Sequence, residues 1–284
     1  MTPGYETALA AMIFLGLVDL VYKRGAAAGI AAHQFLMVQA WCFTPAIVLY
    51  GLATGTLAPE RGMAWGMGAG LFAFVALYNF ARGLKGGSVS IVAPIFRLSF
   101  TVTALLAVVV LGEPLTSYTL AGLALALAAV CLLLGAETGA LPAGGTNRPA
   151  LVQAVIAMAA MGVANFFYKM GALTGGSPAS FIAGQAATFL PLATVFAWRV
   201  DGGLRTTRAA WTHAGTAALL FLLALVLLFH SLARGKASVL VPISQMGFVV
   251  TAAFGLAFLK EPFSLRKGAG LAFAVAALAC LAYS

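Results

Sequence analysis

The sequence predicts an all-α polytopic membrane protein with ten transmembrane helices in a five-plus-five inverted repeat. Three observations carry this expectation. Charged residues are 8% of the 284, with 16 Lys and Arg and 7 Asp and Glu, whereas an ordinary soluble domain devotes about a quarter of its residues to charge. Apolar residues make up 62% and the mean hydropathy is +1.02, in stretches each long enough to cross a hydrocarbon core of about 30 Å as a helix. The second half of the chain also repeats the first.

The predicted spans are 6–24, 33–53, 63–83, 88–111, 117–136, 150–171, 178–198, 212–234, 238–259 and 265–283. Met1 to Glu6 lack the basic start of a cleaved signal, so span one is expected to remain in the protein. It ends at Tyr22-Lys23. Pro45 lies within span two, and Gly66 and Gly70, four apart in span three, allow close helix packing. Pro94 lies early in span four, and Glu113-Pro114 stops that helix and starts span five. The Gly-, Pro- and Thr-rich stretch 137–149 reads as a linker between a first repeat, 1–136, and a second, 150–284. Spans six to ten revisit these features with Tyr168-Lys169, Pro191, Pro242 and Glu261-Pro262. The remaining positions leave no room for an extramembrane catalytic domain.

At an offset of 146, Asp19 falls on Asn165, Tyr22-Lys23 on Tyr168-Lys169, Gly25 on Gly171, Phe35 on Phe181, Gln39 on Gln185 and Trp65 on Trp211. At 148, Ser90 meets Ser238, Pro94-Ile95 meets Pro242-Ile243, Thr103 meets Thr251 and Glu113-Pro114 meets Glu261-Pro262. Matches among Ala and Leu are cheap in such a chain, whereas matches of Tyr-Lys, Gln, Trp and Glu-Pro are not. Five crossings per repeat is an odd number, so the second copy enters from the opposite face. Inverted repeats of this kind are a common construction of secondary transporters.

The ten spans, the Pro early in each fourth span (Val92-Ala93-Pro94-Ile95 and Val241-Pro242-Ile243) and the turns Leu111 to Pro114 and Leu259 to Pro262 resemble the drug/metabolite transporter superfamily, its EamA branch in particular. The resemblance covers nearly the whole chain. It implies a metabolite transporter of the cell (inner) membrane, export favoured, with a central cavity lined by the first four helices of each half and the fifth helices at the periphery.

Arg97 is the most informative residue. A charge in mid-span costs about 2.5–3.5 kcal/mol on insertion scales, so it does not face lipid. Its guanidinium suits a carboxylate or phosphate, or else a structural ion pair with Asp19. Its repeat mate is Gln245. Asp19 is the candidate proton carrier or a permanent counter-ion, and His230 a second titratable candidate. Candidate substrate contacts are Arg97, Gln245, Gln39, Gln185, Tyr78, Asn79, Asn165 and Trp41, polar groups that need partners inside spans. Tyr22, Lys23, Tyr168 and Lys169 are either interfacial anchors or gates at the cavity mouths. Pro94 and Pro242 are candidate helix bends.

No cofactor or metal site is expected, and the cysteines Cys42, Cys131 and Cys280 read as buried small apolar residues. No zinc-protease, nucleophile-elbow, phosphate-loop or dinucleotide motif occurs, so the chain reads as a non-enzyme driven by a gradient or by exchange. The net charge of +9 is spread between apolar segments, which points to membrane anchoring and not to nucleic acid. The expected partners are a small-molecule substrate and the bilayer; the internal repeat is compatible with a monomer and leaves the oligomeric state open. The leading substrates bear a carboxylate, amino acids first. Alternatives are a phosphorylated-sugar or nucleotide-sugar exchanger and a lipid-headgroup flippase. Loops after odd-numbered spans hold 11 Lys and Arg against 4 on the other face, which places both termini outside by the positive-inside rule, whereas the family resemblance implies cytoplasmic termini.

Overall fold

The computed structural model describes residues 2–86, 92, 95–136, 148–258 and 265–284, with backbone only at 84–86, 133–136, 252, 255–258 and 267. Helix is the only regular structure among them. In chain order the helices are α1 (Tyr5–Ala27), α2 (Ala32–Ala53), α3 (Arg61–Gly86), α4 (Ser99–Leu111), α5 (Ser117–Ala136), α6 (Arg148–Leu173), α7 (Pro178–Asp201), α8 (Arg208–Arg234), α9 (Ala237–Gln245), α10 (Gly247–Phe258) and α11 (Leu265–Ala282). α1, α2, α3, α6, α7 and α8 are long and apolar enough to cross a bilayer, and the shorter apolar stretches Ile95–Leu111, Ser117–Leu132, Ala237–Thr251 and Gly268–Ala282 occupy the places of the other four expected spans.

Local chemistry sets several boundaries. Ser177 caps α7 by accepting from the Ser180 amide at 3.1 Å, with Pro178 in the first turn, and Thr207 caps α8 through Ala210 at 3.1 Å. α4 stops at Gly112, whose φ of +66° suits a residue without a Cβ and turns the chain into Glu113.

Spans four and nine depart from the expectation of continuous helices. Span nine divides at Met246, whose amide bonds the Ile243 carbonyl at 3.1 Å, while Val249 bonds Met246 at 2.9 Å. Leu98 does the same at the equivalent place, donating to Ile95 at 3.1 Å and accepting from Thr101 at 2.9 Å. Three-residue turns thus replace the four-residue ladder at both sites. Pro242 lies within α9, four residues before the break, and removes the N–H that would serve the Ser238 carbonyl. Pro94, Glu261, Pro262 and all but Arg148 and Pro149 of the expected linker lie outside the described residues.

Partners are exchanged between the two halves. α1 lies against α8 and α10, and α6 against α3 and α4; α2 meets α8 as α7 meets α3, and α5 and α11 pair mainly with each other. Glycines permit these contacts. A Cβ on Gly16 would strike Val250 and the Gly247 carbonyl of α10, and a Cβ on Gly162 would strike Val102 and the Ser99 carbonyl of α4. Thr251 donates to the Gly16 carbonyl at 3.1 Å, and Thr103 to the Gly162 carbonyl at 3.0 Å. Gly66 and Gly70 bring α3 onto the α7 backbone at Phe181 and Gln185, as their spacing suggests.

The buried surface is rich in alanine, including Ala154, Ala157, Ala214 and Ala217, while Leu105, Val109, Val110 and Leu219 are exposed, an arrangement suited to lipid outside and close backbone approach inside. Cys131 is exposed and Cys42 and Cys280 are half-buried, so the expectation that all three are buried is corrected: Cys131 lies on an outer helix face, where an apolar thiol meets lipid without cost. At the chain ends the Thr2 amide donates to the Ala282 carbonyl at 2.9 Å.

Candidate functional site

Four polar residues, one from each of α1, the short helical piece before α4, α6 and α9, occupy the middle of their spans. In the first half, Arg97 Nη2 donates to Asp19 Oδ2 at 2.6 Å, with 24% and 19% of the two side chains exposed. The Arg97–Asp19 ion pair considered from the sequence is thus present, and both side chains are half-buried. In the second half, Gln245 Nε2 lies 3.5 Å from Asn165 Oδ1. The equivalent positions therefore hold an ion pair in one half and a neutral amide pair in the other. Asn165 Nδ2 is buried and has no hydrogen-bond partner among the described residues, an arrangement that costs about 1–3 kcal/mol.

One helical turn further along α1 and α6 sits a tyrosine–glutamine contact. Tyr22 donates to Gln39 Oε1 at 2.7 Å, and Tyr168 donates to Gln185 Oε1 in a short bond. Phe35 packs edge-on against Tyr22 with ring centres 4.9 Å apart, and Phe181 against Tyr168 at 4.5 Å. Gly25 and Gly171 leave space for those phenyl rings. Asp19 and Tyr22 are three apart on α1, as are Asn165 and Tyr168 on α6, so each pair shares a helix face. Tyr22 is thus bound to Gln39 between α1 and α2, and Tyr168 to Gln185 between α6 and α7.

Other sequence candidates lie elsewhere. Tyr78 accepts from Arg82 Nη1 at 3.2 Å and meets Phe196 edge-on at 5.0 Å; Asn79 Nδ2 bonds its own helix at the Val75 carbonyl, 2.8 Å away. Trp41 Nε1 donates to Thr194 Oγ1 at 2.9 Å and its ring faces Trp211. His230 is exposed on α8, and none of the contacts just described includes it. Lys169 is buried and donates to the carbonyls of Leu232 at 3.0 Å and Gly235 at 2.5 Å, while Lys23 is exposed. Lys169 thus serves the last carbonyls of α8, where a cation is favoured.

Two polar groups went unread in the sequence. Glu113, which reads there as a turn residue, is buried and accepts from the Ala237 and Ser238 amides at 2.9 Å each and from the Ser238 hydroxyl at 2.6 Å. The joint recurrence of Glu113 with Glu261 and Ser90 with Ser238 is the signal that could have flagged it. Asp201, at the end of α7, accepts from His33 Nε2 and Gln34 Nε2, both at 2.8 Å. Nothing in the sequence links those positions.

Burial differs between the halves at equivalent positions. On α6, Ala164, Asn165, Phe166, Tyr168, Lys169, Gly171 and Ala172 are buried, whereas among their counterparts on α1 only Val18 and Gly25 are. On α9, Ile243 and Ser244 are buried, as is Met246 after it, while Ile95, Phe96, Arg97 and Leu98 are all half-buried.

Helices of bilayer length, an apolar exterior and paired polar groups at mid-span define a multi-pass membrane protein. A family model, that of the EamA-like transporter family, matches residues 2–135 and again 148–283. The chain belongs to that family, whose members are membrane transporters. It is also 33% identical over 79 residues to an uncharacterized protein, MJ1333.1, of Methanocaldococcus jannaschii, a match covering 28% of this chain and 58% of that one, so it spans little more than half the length of that relative. A solved crystal structure has the same fold, with a TM-score of 0.78 at 18% identity over 98% of this chain and 94% of the other.

Proposed function

We propose that the protein is a secondary-active exporter of a small carboxylate-bearing metabolite, amino acids being the leading class, in the cell inner membrane. Its two five-helix halves form an inverted repeat and exchange conformations about a central site. The Asp19–Arg97 pair carries this reading: it is an ion pair within apolar spans whose side chains are only partly buried, and its counterpart in the other half is uncharged. A carboxylate entering the site replaces Asp19 on the guanidinium, keeping a desolvated cation paired. Asp19, released, is then the group that takes up a proton and keeps the loaded site electrically balanced. Asn165 Nδ2, a buried donor without a partner among the described residues, supplies a further contact for an acceptor on the substrate.

An apolar groove of about 430 Å³ between α3 and α7, lined by Met67, Leu71, Pro191 and Leu192 among others, has Thr188 as its polar side chain. A lipid-headgroup flippase is the further alternative, distinguished by the transport of labelled lipid in place of a water-soluble metabolite. A phosphorylated or nucleotide-linked sugar shares the guanidinium chemistry of a carboxylate and is distinguished by function. The test is uptake into proteoliposomes from a labelled metabolite panel. Carboxylate uptake that needs Arg97, fails in Arg97→Gln and loses its response to a pH gradient in Asp19→Asn is the expected result. Exchange of phosphorylated sugars unaffected by Asp19→Asn supports the alternative, and full activity in Arg97→Gln removes the anion site altogether.

A further inference from the structure

We propose that Glu113 is the gate residue that seals the face of the protein carrying both chain ends, and that the structure is the conformation closed on that face and open toward the other. The inference rests on the alternating-access reading above. Glu113 belongs to the first half, in the turn between α4 and α5, yet its carboxylate accepts three hydrogen bonds from the second half, at Ala237 and Ser238. A carboxylate held by two backbone amides and a hydroxyl at a helix start is a strong, charge-assisted contact. It spans the seam that must part for this face to open.

The junction it grips is held from the opposite side as well. Lys169 binds the Leu232 and Gly235 carbonyls at the end of α8, and its charge interacts with Glu113. The α8–α9 turn thus has a cation on its outgoing carbonyls and an anion on its incoming amides. The N-terminal residues press on the same turn, with the Ser231 hydroxyl donating to the Gly4 carbonyl at 2.8 Å and the Pro3 carbonyl seated on Gly235.

Burial supplies the independent observation. The C-terminal part of α6 runs to the face of the chain ends and is buried almost throughout, while the equivalent part of α1 runs to the opposite face and is mostly open. Copies of one sequence pattern in two environments are what a transporter shows when one mouth is shut and the other is not. Glu113 lies at the shut mouth.

The test uses a cysteine-free protein (Cys42→Ala, Cys131→Ala, Cys280→Ala) carrying Ser244→Cys as reporter, since Ser244 is fully buried on α9 beyond the clasp. A membrane-impermeant maleimide is applied from the face of the chain ends in oriented vesicles. With Glu113 intact the reporter stays unlabelled, and Glu113→Gln raises the labelling rate about tenfold or more, the expected result of losing a charge-assisted contact that biases one state. Unchanged labelling in a Glu113→Gln protein that melts like its parent overturns the gate and leaves Glu113 a passive cap. Should Glu113→Gln fail to fold, Ser238→Ala, which removes one of the three bonds, must raise labelling in the same direction, and no rise overturns the proposal. Labelling needs no substrate, so a gate that opens in a protein transporting no anion refutes the transport reading alone, and active transport with unresponsive labelling refutes the gate alone.

Discussion

Asp19 and Arg97 meet at 2.6 Å in the same relation that Asn165 and Gln245 hold at 3.5 Å in the other half. The two copies share the place of the contact and differ in its charge. Arg97→Gln strands the Asp19 carboxylate and is expected to lower stability by about 2 kcal/mol, reduced from the cost of a fully buried pair because both groups are partly exposed. The double variant Asp19→Asn with Arg97→Gln rebuilds the neutral pair of the second half. It is expected to melt close to wild type in detergent while remaining inactive. A double variant as unstable as the single one would refute the equivalence.

The tyrosine–glutamine contacts invite a double-mutant cycle. Gln185→Leu leaves the buried Tyr168 hydroxyl without an acceptor, at a cost of about 1–3 kcal/mol, and adding Tyr168→Phe should recover most of it. The same cycle at Tyr22 and Gln39 should give a smaller coupling, since the Tyr22 side chain is half-buried whereas Tyr168 is buried. Equal coupling in the two halves, measured by thermal unfolding, would contradict the difference in burial.

Gly16 and Gly162 are expected to respond alike to replacement. A leucine at either must push α1 from α10 or α6 from α4, at a cost of about 1–3 kcal/mol, and it also displaces a threonine from a backbone carbonyl. Gly29, whose Cβ would meet nothing within 4 Å, provides an exposed comparison. Its φ of +77° makes Gly29→Asn the appropriate control, with an effect of a few tenths of a kcal/mol. Melting temperatures of purified protein report both outcomes.

Span positions and the duplication were legible because they depend on length, hydropathy and rare residues such as Tyr-Lys and Gln. The faces of the helices were not. In a soluble helix the polar side marks the outside, but here lipid and interior are both apolar and the amphipathic signal vanishes. Trp41, Tyr78 and Asn79 consequently read as substrate contacts, although they bond to Thr194, Arg82 and Val75, and His230, read as a titratable candidate, is exposed. Arg97 with Asp19 was readable, as the cost of an isolated charge in mid-membrane leaves few partners. Tyr22 with Gln39 was not, because each was found but assigned a separate task. The breaks at Leu98 and Met246 were hidden for another reason: the prolines that advertise them stand four residues upstream.

Because α1 and α3 find their main partners in α8 and α6, synthesis of the first repeat leaves its glycine-lined flanks against lipid until the second repeat arrives. The nascent first half is therefore an assembly intermediate in search of its twin, and a gene cut between the repeats is expected to yield active protein only when both fragments are made in the same cell.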